Sequence, residues 1–269
     1  MKTIIIVLFS FLFCASLGAQ EHIDRHLHKG IEAFNKQEFD VALKHFEKEL
    51  HHNPNEAEAY YYLGLIKNSK NLGEGIAEFS KAITLKSDYD EAYNARANCQ
   101  IFKGDYPNAL IDLNTAINID SSNFNYFFNR SDVKVYLKDF MGGINDAKKA
   151  LKLDPMTPSS VFGTLAKGYA GIGNYSEALK FATEFIQFEQ FPSSYIVRGD
   201  IKFAMNDFKG ALEDYQKGND PDLDGGNTYV KIAETKFALE DPKGACKVID
   251  KALELGIKVS GSLLAKCGK

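Results

Sequence analysis

The chain has 269 residues, 45% hydrophobic and 25% charged, with no tryptophan and only seven prolines. That composition excludes a disordered chain and one that spans a membrane throughout. A formal charge of −4, with both signs interspersed, excludes the basic face that a nucleic-acid footprint needs, so no nucleic-acid partner is expected.

The first element is a targeting segment. Lys2 gives a positive start, Ile4 to Phe13 is apolar apart from Ser10, and Ala15-Ser16-Leu17-Gly18-Ala19 supplies small residues before Gln20. The pattern predicts a signal peptide over 1–19, cleaved after Ala19. Its apolar run is too short for a stable membrane-spanning helix, so no transmembrane segment is expected in the mature chain. Cys14 raises a lipoprotein alternative, in which it becomes the lipidated first residue. Bulky Phe13, where a small residue is expected, argues against it. The short signal and the Ala-Gln junction point to bacterial export, into a periplasm or the outside. Loss of Lys2 leaves the mature chain near −5.

From residue 23 onward one unit recurs. Asp90 to Asn123 reads as helix, turn, helix, and Phe124 to Thr157 lies beneath it without a gap. Arg96 falls on Arg130, Asp105 on Asp139, Tyr106 on Phe140, Asp112 on Asp146 and Ala116 on Ala150. Self-similarity at this period marks a stacked-repeat protein. Seven units follow in register: 23–56, 57–89, 90–123, 124–158, 159–191, 192–225 and 226–259.

Position 8 of each unit is small: Gly30, Gly64, Ala97, Ser131, Ala166, Gly199, Ala233. Position 20 is Ala or Gly: Ala42, Gly75, Ala109, Gly143, Ala178, Ala211, Ala245. Small residues twelve apart let two antiparallel helices approach closely. Aromatics at position 4 (Tyr60, Tyr93, Phe127, Phe162, Tyr195, Tyr229) and position 17 (Phe39, Tyr106, Phe140, Tyr175, Phe208) fill the space beside them. Asp105, Asp139, Asn174, Asp207 and Asp241 stand just before the second helix, where a short polar side chain caps free N–H groups. These residues are read as caps, not catalytic acids. In the sixth unit Gly218, Asn219 and Pro221 replace helix formers, so its second helix should end early.

Positions 7 and 23 change together. Units 3, 4 and 6 carry Arg96 with Asp112, Arg130 with Asp146, and Arg198 with Asp214. Units 5 and 7 carry Leu165 with Phe181 and Ile232 with Val248. Units 1 and 2, with Lys29 and His45, Leu63 and Glu78, fit poorly. The expectation is a contact between the two helices of a unit, as a partly buried ion pair in three units and an apolar contact in two.

The pattern resembles the tetratricopeptide repeat family: small position 8, aromatic 17, Ala or Gly at 20, Ala at 27 (Ala82, Ala116, Ala150, Ala252), and Pro54 and Pro155 at 32. The resemblance covers 23–259. It implies an all-α, right-handed α-solenoid of about seven helix-turn-helix units over 20–259, closed by a short cap over 260–269. It also implies a concave face that binds another protein or peptide, lined by first-helix positions 2, 5, 9 and 12. The candidates are Tyr61, Leu65 and Asn68; Glu91, Asn94, Asn98 and Ile101; and Asn125, Phe128 and Asp132. The implied function is a non-catalytic scaffold of the bacterial cell envelope or outside, with the ligand in this groove. A carbohydrate- or cell-wall-associated accessory role is the alternative. No position 5 carries Lys or Arg, so the terminal-carboxylate clamp of chaperone-tail-binding members is not expected.

Asp220, Asp222 and Asp224 before Gly225 match the start of a calcium loop, but Lys231 stands where the bidentate Glu is required. All six histidines lie between residues 22 and 52 with no completing ligand set, so no metal is expected. Cys246 stands at position 21, apolar in every other unit, and the tail beyond unit 7 carries Leu263, Leu264 and Cys267. A solenoid needs a terminal lid, and this one is too short to hold itself down, so a Cys246–Cys267 disulfide is expected. Cys99 is expected to be buried and inert. No catalytic constellation is present, and neither enzyme activity nor a cofactor is expected.

Overall fold

The computed structural model describes residues 26–155, 159–188, 190–221 and 225–269. Among these every regular element is helical. A first helix, α1, covers 26–35. It is followed by α2 (Phe39–His52), α3 (Ala57–Lys70), α4 (Ile76–Leu85), α5 (Asp90–Phe102), α6 (Tyr106–Ile119) and α7 (Phe124–Tyr136). Then come α8 (Phe140–Leu153), α9 (Ser160–Gly171), α10 (Tyr175–Phe188), α11 (Pro192–Ala204) and α12 (Phe208–Gly218). The chain closes with α13 (Asn227–Ala238), α14 (Pro242–Glu254) and the short α15 (Gly261–Ala265). The helices gather into two compact units, divided at Asn129 and Arg130 within α7.

The hairpin turns follow from local chemistry. Gly104, Lys138, Gly173, Asn206 and Glu240, each just before a capping residue, have φ between 60° and 78°. That left-handed step reverses the chain, and glycine takes it without a Cβ clash. The next residue then caps the following helix. Asp139 and Asp207 accept from Gly142 N–H and Gly210 N–H at 3.0 Å, and Asp241 accepts from Gly244 N–H at 2.8 Å. Pro242 follows Asp241 at the first helical position, where a missing N–H costs nothing. Helix α12 is 11 residues long against 14 for α8 and α10, ending at Gly218 where helix formers run out. Unit 2 departs differently: residues 71–75 form turns, and α4 starts only at Ile76.

Inside each hairpin the small positions admit large ones. A Cβ on Gly30 would lie 2.5 Å from the Phe46 ring, one on Gly64 2.6 Å from Phe79, and one on Gly199 2.6 Å from Tyr215. Position 8 is glycine where position 24 is an aromatic ring. Elsewhere Leu113, Ala147, Ala182 or Ile249 stands at 24, and position 8 keeps a Cβ or hydroxyl.

In the first compact unit the core runs from Ala33, Ala42, Phe46, Ala59 and Ile66, through Ala82, Tyr89 and Ala92, to Phe79, Ala95 and Cys99. In the second it runs from Ala166, Ala182, Val197 and Ile201, through Ala211, Tyr215 and Ile232, to Ala233, Ile249 and Leu263. Each cluster joins residues of one hairpin to the first helix of the next. Burial between neighbours therefore supplies most of the stability, as in other stacked repeats.

Candidate functional site

The first helices of three successive repeats, α3, α5 and α7, frame a pocket of about 280 Å³ in the first compact unit. Of the expected groove residues it brings together Tyr61, Leu65, Asn68, Glu91, Asn94, Asn98 and Asn125. Phe79, Ala95, Asn123 and Tyr126 complete the lining. Ile101, Phe128 and Asp132 lie outside this lining. The wall at α7 is made by Tyr126 at position 3, whose hydroxyl reaches back to donate to Asp90 Oδ2 at 2.9 Å. Ile101 and Phe128 are half-buried, and the exposed Asp132 accepts from Thr164 Oγ1 at 3.3 Å in the second unit. Position numbers alone could not find Phe79, a buried second-helix residue whose ring packs against Gly64 at position 8.

Several pocket residues are already engaged. Tyr61 is half-buried and packed on the rings of Tyr62, Phe79 and Tyr89, with centroids 5.5, 5.9 and 5.1 Å away. It is thus a wall more than an open stacking platform. Asn68 Oδ1 accepts from Gly73 N–H at 2.7 Å and from Cys99 Sγ at 3.2 Å, holding the irregular turn of unit 2. Asn94 Oδ1 accepts from Asn129 Nδ2 at 2.9 Å. Asn98, Asn125 and Glu91 are exposed.

Burial, helped by the Glu91 charge, pushes the Tyr61 phenol up to about 12. Burial likewise raises Tyr89, and raises Tyr126 together with its bond to Asp90. Glu91 is exposed as a residue, yet partial desolvation against the pocket wall and the neighbouring Asp90 lift its carboxyl above the ordinary range. The pocket therefore offers neutral phenols, amides and one carboxylate. Asparagine amides carry two donors and an acceptor, which suits a peptide backbone.

Away from the pocket, Arg96 donates a fork to Asp112 (Nε–Oδ2 2.8 Å, Nη2–Oδ1 2.7 Å), and Arg130 to Asp146 and Arg198 to Asp214 do the same. The three carboxylates are buried, at 3%, 6% and 1% exposed. Each fork ties the two helices of its repeat together. The hydrogen bonds it donates to Asp112 hold the Arg96 guanidinium above its usual value. Burial alone would raise Asp214, but hydrogen bonds from Arg198 and Lys202 hold it below the carboxylate range.

Two tetratricopeptide-repeat patterns match the chain, over residues 27–88 and 90–123. A solved tetratricopeptide repeat protein of Parabacteroides merdae superposes with a TM-score of 0.67 at 18% identity, over 91% of this chain and 97% of that one. Residues 27–88 and 90–123 are tetratricopeptide repeats, and the chain shares the fold of that solved repeat protein. PilW, described as a widely conserved type IV pilus biogenesis factor, superposes with a TM-score of 0.61 at 15% identity, over 72% of this chain and 91% of its own. Among curated proteins, a DnaJ homolog subfamily C member 7 homolog of Dictyostelium discoideum is 20% identical over 78% of this chain and 30% of its own length. The chain thus spans under a third of that relative. Tetratricopeptide repeats are protein-interaction scaffolds, generally non-catalytic.

Seen as repeat positions, the remaining candidates fall into place. His45 stands at position 23 of repeat 1, its Nδ1 3.1 Å from that of His26. Burial, with Lys29 and Lys48 near, lowers the His45 imidazole. No group of three or more metal-ligating side chains occurs among the described residues. Asp222 and Asp224 lie outside those residues, as does the signal segment with Cys14. Lys231, which breaks the calcium-loop pattern, pairs with Asp200. Cys99 is a buried free thiol, raised by burial. Cys246 and Cys267 are joined in a disulfide. No helix among the described residues is long and apolar enough to cross a membrane.

Proposed function

We propose that the chain is a non-catalytic scaffold that holds an extended segment of another protein across α3, α5 and α7, in the bacterial cell envelope or outside. The observation carrying this reading is the pocket itself: five asparagines, Asn68, Asn94, Asn98, Asn123 and Asn125, around a Tyr61 wall. Paired amides can match the alternating N–H and C=O groups of an extended chain, and the ring surfaces take one apolar side chain. Protein interaction is the work of the repeat family, and a pilus biogenesis factor is among the proteins of like fold. Export is supported by the signal-like first 19 residues and by the Cys246–Cys267 disulfide, a bond that persists in oxidising compartments.

The test is parallel probing of a peptide array drawn from envelope proteins and a glycan array, with the wild-type chain and the Asn98→Ala/Asn125→Ala double variant. Peptide spots that fade with the double variant support the reading. Glycan binding alone, or peptide binding indifferent to both asparagines, contradicts it.

A further inference from the structure

We propose that the C-terminal ten residues are a redox-latched cap: the Cys246–Cys267 bond, not packing, keeps them seated, and a thiol reductant releases them. In repeats 1, 2, 5 and 6 position 21 is an apolar side chain, Leu43, Ile76, Leu179 or Leu212, packed in a cluster with the next repeat's first helix. Repeat 7 is followed by residues 260–269, and there position 21 is Cys246, bonded 21 residues ahead to Cys267. The tail occupies the place of a next helix, with Leu263 against Ala233 and Ile249.

What else holds the tail is little. α15 has five residues, too few to persist alone. The backbone bonds described from Leu263, Leu264, Cys267, Gly268 and Lys269 N–H all end on Ser260, Leu264 or Ala265, inside the tail. Leu263 is its only buried residue, and half-buried Leu264 and Cys267 complete its apolar contact with the same cluster. Lys269 pairs with Asp250, and exposed Lys266 lies over Phe237, 5.1 Å from its centroid. Surface pairs of this kind hold long side chains weakly. The bond closes a loop that the free chain would otherwise leave open, which is how a disulfide favours a seated segment.

The cap also builds a site. Ser260, Ser262, Leu263 and Lys266 form one side of a cleft of about 580 Å³, opposite Phe203 and Phe237. Release of the tail removes that wall and uncovers Ala233 and Ile249. Cys246 and Cys267 are both partly exposed. In the reaction, the thiolate of a dithiol reductant attacks one sulfur and forms a mixed disulfide. Its second thiol then closes the reductant's own disulfide. Two electrons and two protons pass to Cys246 and Cys267, which become free thiols.

The experiment is hydrogen exchange by mass spectrometry on the full chain, oxidised, after reduction by a soluble dithiol, and after reoxidation. The amides of Leu264 and Cys267 should lose protection roughly ten-fold or more on reduction and regain it on reoxidation, while residues 26–188 stay unchanged. The Cys246→Ser/Cys267→Ser variant should match the reduced chain, and oxidised Leu263→Ala should keep its tail protection. Undiminished protection in the reduced chain would overturn the proposal, as would loss of protection in oxidised Leu263→Ala.

Discussion

Tyr169 lies flat on Phe181, ring centroids 5.5 Å apart and planes 11° from parallel. These are positions 11 and 23 of repeat 5. The same two positions hold Lys67 and Glu78 in repeat 2, Lys134 and Asp146 in repeat 4, and Lys202 and Asp214 in repeat 6. Position 23 is therefore a hub that each repeat fills according to charge. A carboxylate there meets Lys at 11, Arg at 7, or both; Phe181 meets a ring; His45 meets His26.

The hub orders the cost of losing an arginine. Both described bonds to Asp112 come from Arg96, and repeat 3 has Gln100 at position 11. Arg96→Ala leaves a buried carboxylate unpaired and should cost about 3–5 kcal/mol. Arg198→Ala leaves Lys202 on Asp214 at 2.8 Å and should cost less, about 1–3 kcal/mol. Urea unfolding of both variants checks the order, and a larger loss for Arg198→Ala would contradict it.

Two carboxylates should bend the acid stability curve in opposite senses. Asp214 titrates below its ordinary 3.8, so the stability it contributes is present above that pH and is lost as pH falls through its folded value. Glu91 titrates above its ordinary 4.5, so the folded chain binds the extra proton and stability falls as pH rises across that window. Thermal midpoints between about pH 2 and 7 should therefore show a shallower acid loss in Asp214→Asn. They should show a smaller decline above pH 4.5 in Glu91→Gln.

Glycine at position 8 is a steric requirement of the ring at 24. Gly30→Ala pushes a methyl to 2.5 Å from Phe46 and should destabilise by about 1–3 kcal/mol. Phe46→Leu made together with it should recover part of that loss, because Leu113 already coexists with Ala97 at these positions. A double variant no more stable than the two losses added would show that the ring is not what Gly30 accommodates.

Much of this was legible before the structure. The repeat register, the caps at Asp139 and Asp207, and the early end of α12 each follow from residue types at fixed spacing. The fork of Arg96 on Asp112 showed as a change of two positions together. Position 11 did not show, because Ala33, Gln100 and Tyr169 interrupt the lysines at that position (Lys67, Lys134, Lys202 and Lys236). Half-buried Phe128 and exposed Asp132 match the groove positions, yet the pocket is walled at α7 by Tyr126. That wall depends on a hydroxyl reaching Asp90, 36 residues back, a contact no local pattern carries. The start of α4 at Ile76 also went unread, since Asn68 holding Gly73 is particular to that repeat.

Asn98 and Asn125 are exposed and belong to no core cluster named above, so alanine at either should leave stability within about 0.5 kcal/mol. If their amides bind a peptide backbone, each change should weaken the partner about two- to ten-fold. Calorimetry of the two single variants against the wild-type chain, with unfolding midpoints in parallel, separates the two effects.

The most direct measurement replaces Asn98 by a benzophenone amino acid in the full chain, irradiates whole cells, and maps the crosslink by mass spectrometry. The scaffold reading predicts one recurrent protein segment joined at residue 98, lost when Asn125→Ala is added. Crosslinks spread over unrelated proteins, or confined to glycan, would contradict it.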